Sequence, residues 1–240
     1  ICAPPPTKKH KPSRGYYSGM LVDSNHKIIM DWSPKAACTL SVEMFWDQMG
    51  IRNGLHYPLN AFTHNYRTSF YRVCGTVTKQ MLESHKYYKF KIVRNPFNRA
   101  VSSYIHIMKT KHTGKILSSS NIVEEYNYLS FEQLLDLWLK KVLPLMRAGK
   151  LTSHNNSAVF HTRPQASVKE VIEFKQNKTS IFNRIVHLEQ FEEDIALVNN
   201  DTKLNYSFPR HFDDHVVEKT EQSDVYFGDK GYRELVEGGI

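Results

Sequence analysis

Residues 26–49, HKIIMDWSPKAACTLSVEMFWDQM, read as a buried strand, a tight loop and a helix, an order that narrows the folds open to the chain. Ile28, Ile29, Met30 and Trp32 form a short, apolar, β-prone run, which places a strand at about 27–32. Pro34 stops it. From Thr39 onward Leu40, Val42, Met44, Phe45, Trp46 and Met49 recur at mostly helical spacing, so the preceding loop opens onto a helix N-terminus. The first N–H groups of a helix have no partner inside it, and its aligned peptide dipoles put positive potential there, so such an end attracts anions. The candidate loop is Ser33, Pro34, Lys35, Ala36, Ala37, Cys38 and Thr39. Its small residues leave the backbone reachable and Thr39 adds a hydroxyl. Lys35 supplies a mobile point charge that can follow charge developing on a leaving oxygen. An ordinary strand-to-helix turn with a surface lysine has the same local pattern, so this stretch alone leaves both readings open.

A second stretch, residues 87–104, YYKFKIVRNPFNRAVSSY, repeats the logic. Tyr88, Phe90, Ile92 and Val93 predict a strand, and Asn95 with Pro96 has the form of an N-cap followed by proline at the first helical position. Arg94 then sits at the strand's exit. Ser102, eight positions later, falls about two turns into the helix, where its hydroxyl could face the anion that Arg94 grips in a fork.

On these residues the chain resembles a known family. SPKAACTL is similar to the 5′-phosphosulfate loop of the carbohydrate sulfotransferases of Golgi type (sulfotransferase family 2-like), and RNPFNRAVSSY resembles their 3′-phosphate motif. HTRPQ at 161–165 and IVHLEQFEEDIALV at 185–198 resemble later blocks of the same family, in the same order. The resemblance implies a P-loop-like sulfotransferase fold and transfer of a sulfuryl group from 3′-phosphoadenosine 5′-phosphosulfate (PAPS) to an acceptor hydroxyl, leaving 3′-phosphoadenosine 5′-phosphate (PAP). It implies that residues 33–39, Arg94 and Ser102 hold the cofactor and that Lys35 is catalytic. His161, Arg163 and Gln165 fall near the cleft, where they bind the acceptor, support the cofactor pocket or anchor a loop. Leu40 departs from the asparagine of many members. A Golgi lumen location follows for a eukaryotic source, with the cytoplasm as the alternative.

Charge agrees with anionic partners: the chain of 240 residues carries a formal net charge of +8 at pH 7. PAPS and an acidic glycan both fit, and a neutral glycan or other hydroxyl acceptor remains open. Nucleic acid has the electrostatic argument alone, since there is no zinc-finger spacing, no RNP-type strand and no uninterrupted basic helix. Cys2, Cys38 and Cys74 form no CxxC pair, so no disulfide framework is indicated, and Cys38 is more simply a small loop residue than a nucleophile. No run of about 18 apolar residues appears, so no membrane span is expected in this chain, and a removed N-terminal anchor is compatible with that. Sequons at Asn155, Asn177, Asn200 and Asn205 lean toward a secretory glycoprotein.

Taken in order, residues 1–19 are rich in proline and basic residues and read as an extended arm, with a single domain expected over 20–240. Between 50 and 70 no period is clear. The catalytic base is sought there, with His64 the first choice and His56 and the helical Glu43 the alternatives. Residues 76–86 predict a short helix with Met81 and Leu82 inward and His85 solvated. Arg99 is expected to pair with a carboxylate. Ser130 and Gln133 have capping-box spacing before a helix whose Leu134, Leu135, Trp138 and Val142 should be core, with Pro144 near its end. A third strand is expected at about 184–188, then a helix over about 191–198 with Glu189 and Glu192 at its start. His211, Asp213 and His215 could be drawn as a metal site, though a solvated loop explains them more simply, so no metal is expected.

The fold class expected is therefore α/β, a mainly parallel central sheet flanked by helices, with ligands at the strands' carboxyl ends. Two other functions compete with sulfuryl transfer. A nucleotide-dependent kinase needs GxxxxGK[ST], and the loop has no glycine. A polyanion-binding module that has lost transfer has no evident need of Lys35.

Overall fold

The computed structural model describes residues 20–50, 76–109, 129–151, 157–166, 170–171, 175–176 and 180–207. The N-terminal arm, His56, His64, most of the 109–129 connection and the His211–Asp213–His215 group lie outside these residues. The described residues divide into two compact units, one up to residue 94 and again from 165 onward, the other from 95 to 164.

The first unit is built on an open, mixed four-stranded sheet in the order β1-β2-β3-β4. Strands β2 (Ile28–Trp32), β3 (Tyr88–Val93) and β4 (Arg184–His187) run parallel, and β1 (Leu21–Asp23) pairs antiparallel to β2. Every residue of β2 is buried, because both faces of the sheet are covered. On one face Met30, Trp32, Phe90, Ile92 and Val186 pack with Val42, Phe45 and Trp46 of helix α1 (Cys38–Gln48), and with Ile195 and Val198 of the unit's last helix. On the other face Val22 and Ile29 pack with Phe182 and with Leu82 of helix α2 (Lys79–Glu83). As expected, Met81 is partly buried in α2 and His85 is exposed.

The hairpin to β1 was not among the expected elements. Three residues are too few to show a period, and its turn lacks an Asn-Gly signal. It is held instead by Asp23, whose buried carboxylate accepts from the backbone N–H of Asn25 at 2.9 Å and of His26 at 3.2 Å. A second buried charge cluster lies on β2 and β3. Lys91 Nζ is 2.8 Å from Asp31 Oδ2 and 2.8 Å from Glu170 Oε1.

In the second unit, helix α3 (Pro96–Lys109) starts where the sequence places it, with Asn95 Oδ1 accepting from Phe97 N at 2.9 Å. Helix α4 (Phe131–Leu137) opens with the expected capping box between Ser130 and Gln133. It then widens into a π-helical turn at Trp138–Val142 before α5 (Leu143–Arg147). Pro144 accounts for the change: it has no N–H for the Lys140 carbonyl to accept from, and Leu143 N–H reaches back to Trp138 O instead. Leu134 and Val142 are buried with Tyr104, Ile107 and Met108 of α3 and with Val159 of helix α6 (Ser157–Thr162). Leu135 is 47% exposed, against expectation, because of two adjacent leucines on one turn only Leu134 faces the core. Back in the first unit, β4 leads through a 3₁₀ turn (Leu188–Gln190) into helix α7 (Phe191–Thr202). Asp194 on its first turn accepts from His187 N at 2.7 Å.

Candidate functional site

The loop after β2 contains no glycine, yet it takes left-handed backbone at two positions. Lys35 has φ 65° and Ala37 φ 51°, both left-handed, while Ala36 between them is not in that region. Ala36 N–H closes a turn onto Ser33 O at 3.0 Å. Alternation of this kind turns successive backbone N–H groups toward one side, a concavity suited to an anion. Ala37 is the N-cap of α1, where no side chain caps the helix and the first turn holds no acid. The N–H groups and dipole of α1 are therefore open to a ligand's charge. Ser33, Pro34 and Ala36 are buried, whereas Lys35, Ala37 and Thr39 are half-buried at the rim. Cys38 is a free, half-buried thiol packed against the core.

Arg94, half-buried just beyond β3, belongs to the same unit and reaches this loop: its Nη1 donates to Lys35 O at 3.3 Å. Burial pulls its pKa below the usual arginine value, and the charge of Glu189 opposes that. Gln165 also joins here. Its Oε1 accepts from Arg94 N at 2.8 Å, its Nε2 donates to Arg94 O at 2.6 Å, and its own carbonyl accepts from Ser33 Oγ at 3.5 Å.

In the other unit, Ser102 is half-buried on α3. Arg99 of the same helix is buried, and its Nη2 donates to the carbonyls of Arg163, at 2.5 Å, and His161, at 3.5 Å. Burial, with the charge of Arg163 adding to it, pushes its pKa down to about 10, so it stays protonated at neutral pH. Ser103 Oγ donates to His161 O at 2.9 Å. The rings of His106 and His161 meet at 4.1 Å, and the Arg163 guanidinium lies 4.8 Å from the Phe160 ring centre.

The sequence had marked Ser33, Lys35, Arg94 and Gln165, and these meet in one unit; His161, Arg163 and Ser102 share the other. Glu43 is buried on α1. The reading had not marked Ser103, although its spacing from Arg99 on one helix face was a usable signal. Among the described residues no group of His, Cys, Asp and Glu is arranged to hold a metal ion. No helix among them is long and apolar enough to cross a membrane.

Compared with known protein families, residues 18–230 match the model described as the sulfotransferase family. No curated protein and no solved structure matches the chain.

Proposed function

The chain belongs to the sulfotransferase family, whose activity is sulfuryl transfer to a hydroxyl acceptor, and from that premise we propose that it uses PAPS as donor and a carbohydrate hydroxyl as acceptor. The observation that carries this reading is the glycine-free anion loop at the start of α1, tied through Lys35 O to Arg94. Its left-handed Lys35 and Ala37 and its uncapped helix start fit the 5′-phosphosulfate end of the donor. Arg94 offers a fork to the 3′-phosphate, and the family's arginine-to-serine spacing assigns Ser102 to that phosphate as well. Bound PAPS supplies the activated sulfuryl group that the acceptor oxygen takes up.

The chain's own residues divide the remaining work. Lys35 and the loop amides of residues 37–39 face negative charge on the departing phosphate oxygen, and fixed donors of this kind need no reorganisation as the charge develops. His64, outside the described residues, takes the acceptor's proton in this reading, with His56 and the buried Glu43 as the alternatives. His161 and Arg163 serve the acceptor side. Residues 20–240 act as one transfer domain, which for a eukaryotic source works in the Golgi lumen, with the cytoplasm as the alternative.

A thermal-shift titration with PAP beside ATP and ADP tests the donor. A ligand that binds only the folded state raises the midpoint. Selective stabilisation by PAP supports the reading, and stabilisation by ATP alone returns the kinase. With the donor established, Lys35→Ala is expected to lower transfer at least ~100-fold, the scale of losing one preorganised charge-stabilising group, with its melting midpoint unchanged. Near-normal turnover in that variant would sink the mechanism.

A further inference from the structure

Gln165 was read as binding the acceptor, supporting the cofactor pocket or anchoring a loop, and its side-chain amide is turned to the backbone of a single residue. Arg94 donates its N–H to Gln165 Oε1 at 2.8 Å and accepts from Gln165 Nε2 at 2.6 Å. A neighbouring strand would make the same two bonds. The strand ladder stops just short of this point, where the last paired positions are Trp32 with Ile92 and Val93 with His187. Residue 94 leaves the sheet at the position where the family pattern needs a directed guanidinium. The Gln165 amide thus continues the ladder by one residue and holds the peptide groups on both sides of the Arg94 Cα, from which the side chain springs. Its own carbonyl receives Ser33 Oγ at 3.5 Å, so one residue touches the exits of both β2 and β3.

The segment that carries Gln165 is itself anchored. Glu170 binds Lys91 Nζ through both carboxylate oxygens, at 2.8 and 3.0 Å, and Lys91 is a buried residue of β3. Residue 170 is therefore held by β3 and residue 165 by the residue just beyond its end. We propose that Gln165 is a positioning residue for 3′-phosphate recognition: it touches no substrate atom, and its amide fixes the backbone of Arg94 so that the guanidinium meets the nucleotide's 3′-phosphate. The inference rests on the PAPS reading.

Gln165→Glu separates positioning from bulk stability. The carboxylate keeps the size of the amide and still accepts from Arg94 N, but it sets an acceptor oxygen against Arg94 O and breaks the second bond. Gln165→Ala removes both. Calorimetry is run with PAP and with adenosine 5′-monophosphate, which lacks the 3′-phosphate, on the wild type, both Gln165 variants and Arg94→Ala. Hydrogen exchange of the Arg94 amide is read on the same proteins without ligand. The wild type is expected to prefer PAP. Gln165→Glu should lose about tenfold or more of that preference, because a misdirected fork forfeits a charge-assisted bond, while adenosine 5′-monophosphate affinity and melting midpoint hold. Gln165→Ala should approach Arg94→Ala and release the Arg94 amide to exchange. Full PAP preference in both Gln165 variants, or an Arg94 amide equally protected in Gln165→Ala and wild type, overturns the proposal. A wild type that binds the two nucleotides equally overturns the donor reading beneath it.

Discussion

Lys35 and Ala37 occupy left-handed backbone without being glycine, a conformation that costs an L-residue about 1–2 kcal/mol each. At position 35 the strain comes with an ammonium that no glycine could supply. At position 37 the side chain is a single methyl at the N-cap of α1, and nothing in the structure ties a chemical role to it. Glycine there relieves the left-handed strain and adds about 0.5–1 kcal/mol of unfolded-chain entropy. Ala37→Gly is therefore expected to leave stability unchanged or raise it by about 1 kcal/mol or less. Ala37→Val, β-branched at positive φ, should lower it by about 1 kcal/mol or more. Urea midpoints of the two variants against wild type decide this, and a destabilised glycine variant would show that the loop is not strained at Ala37.

Helix α4 depends on its start, where Ser130 Oγ accepts from Gln133 N at 3.2 Å and Gln133 Oε1 accepts from Ser130 N at 2.8 Å. Ser130→Ala should cost about 1 kcal/mol, seen as a lower urea midpoint by helix circular dichroism; no change would mean that α4 is held by packing alone. That cap, the Asn95–Pro96 start of α3 and the strand-loop-helix order around Lys35 were legible in the sequence, because each is set by residues within a few positions of one another. What was hidden depends on partners distant in the chain. Gln165 meets Arg94 across 71 positions and Lys91 meets Glu170 across 79, and no periodicity announces either pairing. The placing of Pro144 near the helix end holds, but the π-turn before it was not foreseen. A proline near a helix end reads as a stop, whereas here the helix absorbs the missing N–H by widening and runs on to Arg147.

At the scale of the whole molecule, a net charge of +8 favours anionic ligands, yet at the base of the loop two carboxylates, the buried Asp31 of the sheet and the half-buried Glu170, gather around the buried ammonium of Lys91. Asp31 lies two residues before Ser33, so the protonation of this cluster bears on the platform from which the loop leaves. Burial raises the Asp31 pKa above its ordinary 3.8, with the nearby Glu170 charge adding to the rise, while the charge and hydrogen bond of Lys91 oppose it. An acid whose folded pKa is raised binds more protons in the native than in the unfolded state between the two values, so its contribution to stability falls as pH climbs through that window. Asp31→Asn removes the titration and keeps the shape. The variant's urea midpoint relative to wild type is expected to rise as pH climbs from about 3.8 through the raised native value, then level off above it. Carboxylates away from the cluster contribute slopes common to both proteins, which cancel in the difference; Glu170, which shares Lys91 with Asp31, is replaced by glutamine in both proteins to remove its coupled slope. A difference that falls over the same range would mean that the attraction of Lys91 outweighs burial and that Asp31 is held ionised by its partner. A flat difference would mean that burial and the attraction of Lys91 cancel, leaving Asp31 at its ordinary pKa in the folded protein.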